Sequence, residues 1–69
     1  MNSPRFIAST EDAYVQEEEL DGEKYIVAHS YKYPRIIGGG ETPEKALEEL
    51  RGNIEALEEY HEQQTKGHA

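Results

Sequence analysis

The segment that follows Glu41 constrains the fold most. Ala46, Leu47, Leu50, Ile54, Leu57 and Tyr60 share one stripe of a helix, with Leu47, Leu50, Ile54 and Leu57 spaced three, four and three apart. A helix with one apolar stripe must bury it against a sheet or a second helix. Its start is well marked. Thr42 is a good N-cap, Pro43 occupies the first helical position where its missing donor does no harm, and Glu44 suits the positive end of the helix dipole. Lys45 stands where a full capping box would have Glu or Gln. The pattern predicts a helix over 43–62, with 63–69 lacking apolar periodicity and expected to fray. Gly52 points away from the stripe and costs about 1 kcal/mol relative to Ala, for no reason visible in the pattern.

The preceding residues supply a sheet for that stripe. Asp21-Gly22 offers the positive φ values of a type I′ hairpin turn. Residues 24–31, with Tyr25-Ile26-Val27-Ala28, are rich in β-branched and aromatic side chains and read as the firmest strand. Residues 13–20 read as its hairpin partner. Glu17-Glu18-Glu19 is poor strand material, so this strand is expected at a sheet edge, where charge blocks unwanted pairing. Pro34 interrupts the sheet, a short third strand is expected over 35–38, and Gly38-Gly39-Gly40 ends it. Residues 1–12 are expected to form a partly ordered arm. The expectation is a single α+β domain over 1–69: a three-stranded antiparallel sheet, β-β-β-α in order, packed on one C-terminal helix.

The chain has 69 residues and no cysteine, so disulfides cannot staple it. His29, His61 and His68 are scattered without ligand spacing, so no metal site is expected. A core this small supplies roughly 3–5 kcal/mol, and self-association is a common remedy. A homo-oligomer is therefore expected, a dimer by preference. Fifteen acidic against seven basic residues give a net charge of −8. That opposes phosphate tracking on nucleic acid and docking on anionic lipid. It suits solubility, and it would steer the chain towards a basic partner. No apolar run approaches the ~20 residues of a membrane span, and residues 1–6 do not read as a signal peptide, so a cytoplasmic location is expected.

No constellation for catalysis or cofactor binding emerges. Gly38-Gly39-Gly40-Glu41-Thr42 before a helix suggests an anion cradle, but it lacks a lysine and Glu41 would repel phosphate; a tight strand-to-helix turn is the simpler reading. Glu17/Glu19 and Glu58/Glu62 would need a pocket to act as acid and base, and otherwise form a solvated acidic face. His29 has no recognisable triad partners and reads as a strand histidine beside tyrosines. The segment 29–35 gathers Tyr31, Lys32, Tyr33 and Arg35 in an otherwise acidic chain. Tyr and Arg anchor protein interfaces; aromatic and basic groups together can also stack bases, or simply line a loop. The candidate partner-binding residues are Tyr31, Lys32, Tyr33 and Arg35, with Glu17, Glu18 and Glu19 as an acidic patch. Leu57 and Tyr60 are the candidate self-contacts.

The stretch 25–59 resembles the HicB family of antitoxins. Gly40-Glu41-Thr42-Pro43-Glu44-Lys45-Ala46-Leu47 is similar to the family's Gly-x-Thr-x-x-Glu-Ala-Leu helix start, with Lys45 where Glu is common. The Asp21-Gly22 turn also corresponds, and Pro34 matches the loop motif, with Arg35 where a glycine is expected. The resemblance implies a partial RNase H-like β-β-β-α unit without catalysis of its own. It also implies a partner, a small basic HicA-type ribonuclease that the domain binds and masks. Many members add a DNA-binding domain; a chain ending at Ala69 leaves no room for one, so operator binding is not expected. The other readings are an orphan homo-oligomeric domain with a scaffolding or ligand-sensing role, and a nucleic-acid-binding module.

Overall fold

A computed structural model describes residues 4–66, with side chains through residue 63. The order is β1 (Arg5–Ser9), β2 (Ala13–Leu20), β3 (Glu23–Ser30), β4 (Ile37–Gly40) and α1 (Pro43–Lys66). The sheet is antiparallel throughout, with spatial order β1-β2-β3-β4. The architecture is the expected α+β arrangement with one strand more. Part of the segment expected as an arm is an edge strand. β1 buries no side chain and is held by its backbone pairing to β2, so hydrophobic alternation could not reveal it. Its register also shifts between Phe6 and Ala8, where an irregularity breaks the period of two.

This extra strand moves β2 off the edge. Among the described residues, β1 begins at Arg5 opposite Glu17, so Glu18, Glu19 and Leu20 pair with β3 alone in the hairpin. Asp21 and Gly22 close that hairpin with φ of 53° and 83°, the two positive values a type I′ turn requires. The last strand starts later than 35–38. The Tyr33 carbonyl accepts a hydrogen bond from the Ile36 amide at 2.8 Å, which places Pro34 second in a turn and delays β4 to Ile37. The helix runs on to Lys66, so residues 63–66 are helical where fraying was expected. Residues 67–69 of that expected tail lie outside the described part.

Alternation decides the two faces of the sheet. Ala13, Val15, Ala28 and Ser30 point to the helix and are buried, and Ala46 and Leu50 meet them. Ile26, Ile36, Leu47 and Ile54 complete the core from partly covered positions. The helix lies over β4 and β3 and touches β2 only lightly.

Glycine explains that offset. A Cβ on Gly38 would stand 2.3 Å from the Leu50 amide nitrogen and 2.6 Å from the Ala46 carbonyl oxygen. One on Gly40 would stand 2.8 Å from Lys45 Cβ. The helix backbone therefore rests directly on β4, and the two glycines serve close approach where the sequence suggested only a tight turn. Thr42 caps the helix as expected: its Oγ1 accepts from the Lys45 amide at 3.2 Å and its carbonyl from the Ala46 amide at 3.0 Å. Asn53 Nδ2 donates to the Ile37 carbonyl at 2.9 Å, a further tie between helix and edge strand.

Two substitutions test this seating by chemical denaturation. Gly38→Ala forces the helix off β4 and should cost about 3 kcal/mol, the upper end of overpacking effects. Gly52→Ala meets open space, since a Cβ there finds nothing within 4 Å, and should stabilise by up to about 1 kcal/mol. Equal effects at the two sites would show that the helix is not seated on Gly38.

Candidate functional site

The loop between β3 and β4 is built from its first residues outward. The Tyr31 amide donates to the Asp12 carbonyl at 3.0 Å and extends the β2–β3 ladder by one bond. Buried Ser30 turns its Oγ to accept from the Tyr33 amide at 3.0 Å. This fixes Tyr31 and Tyr33 on different sides. Tyr31 packs on Tyr14 at 5.3 Å between ring centroids, and Tyr14 stacks on His29 at 4.9 Å and 13°. Tyr33 turns to the helix and donates its hydroxyl to Glu58 Oε2 at 2.9 Å. Lys32 Nζ lies 4.0 Å from the same carboxylate and 5.3 Å over the Tyr33 ring. Arg35 is exposed in the turn. The loop residues expected to act together are thus split between the two faces of the sheet.

The acidic patch is split in the same way, by strand alternation. Glu17 and Glu19 share the helix-side face with Val15, and Glu18 shares the open face with Tyr14 and Gln16. Glu17 Oε1 stands 4.0 Å from Lys24 Nζ, an exposed pair of little energetic weight. Glu18 is the structured member. Its Oε2 accepts from Gln16 Nε2 at 2.9 Å and meets His29 Nε2 at 2.5 Å. Burial is the largest influence on its carboxyl and pushes the pKa up. The hydrogen bonds from Gln16 and His29, with the attraction of a protonated imidazole, outweigh it and hold the group below its ordinary value.

A cleft of about 500 Å³ opens where the helix turns away from β2. Ala13, Leu47, Leu50 and Ile54 form its apolar floor, and Glu11, Asp12, Glu55 and Glu58 stand around it with Lys32 and Arg51. Thr10 shapes one wall: its Oγ1 accepts from the amides of Asp12 and Ala13 at 3.3 and 3.1 Å, and its own amide donates to the Ala13 carbonyl at 2.7 Å. Glu11, Asp12 and Glu55 escaped the sequence reading. The available signal was the spacing of Arg51, Glu55 and Glu58, which puts all three on one helix flank beside the apolar stripe. Leu57 is half-buried and Tyr60 exposed near the helix end, where the Tyr60 and His61 rings lie 6.1 Å apart. Among the described residues, no group of three or more His, Cys, Asp or Glu is placed to hold a metal ion, and no helix is long and apolar enough to cross a membrane.

No protein-family model matches the chain, and neither a curated protein nor a solved structure matches it.

The Glu18 environment has a pH consequence. A carboxyl whose folded-state pKa is depressed stabilises the fold above its unfolded pKa, and that contribution is lost as pH falls through the folded value. The stability of the native chain should therefore fall on acidification below the ordinary carboxyl value of 4.5. Glu18→Gln, which cannot titrate, should show a shallower fall over the same range when unfolding midpoints are compared. Parallel curves for the two proteins would remove Glu18 from the account.

Proposed function

We propose that this domain acts as a HicB-like antitoxin, or a stand-alone relative of one, that binds a small basic HicA-type ribonuclease and neutralises it by masking. The observation that carries the reading is the cleft beside the helix, with an apolar floor and the four carboxylates Glu11, Asp12, Glu55 and Glu58 around it. Such a surface suits a basic protein. Apolar side chains of the partner gain burial on the partly covered Leu47 and Ile54, while the acidic rim speeds encounter and selects for positive charge. The net charge of −8 acts in the same direction at longer range. The family's helix-start pattern, Gly40 to Leu47, supports the reading from the sequence. Tyr33 and Lys32, held at Glu58, stand at the mouth of the cleft, so part of the candidate loop contributes to the same surface. In this role the domain needs no catalysis of its own, and it works in the cytoplasm beside its toxin.

An orphan scaffolding domain is the second reading, favoured by the apolar character of the sheet's other face.

A tagged chain recovered from its native lysate should bring down one small basic protein at near-equal stoichiometry. Neutralising the rim with Glu11→Gln, Asp12→Asn, Glu55→Gln and Glu58→Gln together should weaken that complex about ten-fold and flatten its salt dependence. Recovery of the bait alone, or binding indifferent to the four substitutions, would contradict the proposal.

A further inference from the structure

The face of the sheet turned away from the helix has no layer over it among the described residues. Phe6, Tyr14, Gln16, Glu18, Leu20, Glu23, Tyr25, Val27, His29 and Ile37 alternate onto this face by their registers. Phe6 is 63% exposed, Leu20 66%, Tyr25 45%, Ile37 50%, and Tyr31, packed beside Tyr14, is 55% exposed. Taking about 200 Å² for each large side chain, these five leave on the order of 600 Å² open. Spread over the face, that area is near the roughly 800 Å² that each side of a standard interface buries.

We propose that this face joins two copies of the chain, sheet against sheet, about a twofold axis. Charge selects the occupant. Of the chain's 15 acidic residues only Glu18 and Glu23 lie on this face by register. Both are already engaged: Glu18 with Gln16 and His29, Glu23 as acceptor from the Tyr25 hydroxyl at 2.6 Å. The remaining acids belong to the helix, the turns and the helix-side face. For a chain of charge −8 this is the surface on which a second, equally acidic copy meets least repulsion, whereas a basic protein gains more at the acidic cleft. A twofold interface also needs one patch to be complementary to itself.

Gly39 supports the arrangement. Gly38 and Gly40 lack side chains because the helix backbone rests on them, but a Cβ on Gly39 would meet nothing nearer than the Ile26 carbonyl oxygen at 3.8 Å. Nothing within the chain requires glycine there. Phe6, Gln16, Val27 and Gly39 form one row across the open face, with Phe6 on one edge strand and Gly39 on the other. A twofold axis running along the strands between β2 and β3 carries each edge strand over the opposite edge of the second copy. Phe6 of each copy then comes over Gly39 of the other, at the ~10 Å spacing of packed sheets. The missing side chain makes room for the ring.

Sedimentation equilibrium of the full chain reads the outcome. The native protein should run at twice its 7.9 kDa mass at about 100 µM. Ile37→Lys should raise the dimer dissociation constant at least about 30-fold. Gly39→Val is the second arm. It should dissociate the dimer similarly while leaving the circular dichroism and unfolding midpoint of the monomer intact, because valine suits an extended strand. Tyr60→Lys, on the helix, should change nothing. A monomeric native protein, a dimer indifferent to Gly39→Val, or one broken by Tyr60→Lys would overturn the proposal. The dissociated variants should still capture a basic partner at the cleft, so failure here and failure of the antitoxin reading are separable.

Discussion

The structure depends on the approach of one helix to one edge strand. Packed layers of secondary structure normally stand about 8–10 Å apart because side chains from both keep the backbones apart. Here Gly38 presents no side chain, and the Leu50 amide and Ala46 carbonyl of the helix occupy the place its Cβ would take. This close seat fixes the rotation of the helix as well as its height. Ala46 and Leu50 are driven into the sheet, Leu47 and Ile54 are left at the margin, and Asn53 is brought to the Ile37 carbonyl. The buried core is correspondingly small and made largely of short side chains: Ala13, Val15, Ala28, Ala46 and Leu50.

Both candidate surfaces follow from that seat. A helix anchored on β4 lies over β4 and β3, so it leaves a cleft between itself and the start of β2. A single helix also covers only one side of a four-stranded sheet, so the other side keeps its aromatic and aliphatic residues in solvent. Strand alternation then sorts the charges. Glu17 and Glu19 go to the helix side and Glu18 alone to the open side, where Gln16 and His29 take it up. The chain is strongly acidic on average, yet its charge is unevenly divided between its faces. That division underlies the two proposed contacts, a basic partner at the cleft and a second copy on the open face.

Much of the fold was legible in the residues. The Asp21-Gly22 hairpin, the firm strand expected over 24–31 and found as β3, the Thr42 cap and the apolar stripe each rest on a local rule, and each appears within a residue of where that rule puts it. What escaped was non-local. β1 buries nothing and contains a register shift, so it carries neither an apolar pattern nor a clean period. Placing β2 at the edge followed from its glutamates, but an outer strand that begins at Arg5, opposite Glu17, leaves the later glutamates beyond its pairing among the described residues. The triple glycine announced a special backbone without saying that a helix would rest on it. The concentration of aromatic and basic groups in the loop is a property of the sequence itself. Which way each side chain turns depends on Ser30 and Glu58, one buried beneath the loop and the other 25 residues along the chain from Tyr33.

The most direct test of this account is the proton–proton contact between Gly38 and the helix. In nuclear Overhauser spectra of the labelled chain, the Gly38 Hα protons should give strong cross-peaks to the Leu50 amide and to protons of Ala46. A helix centred on the sheet would instead show its closest contacts to Val15 and Ala13 of β2, with Gly38 silent. That result would contradict the seating, and with it the origin of both the cleft and the uneven division of charge.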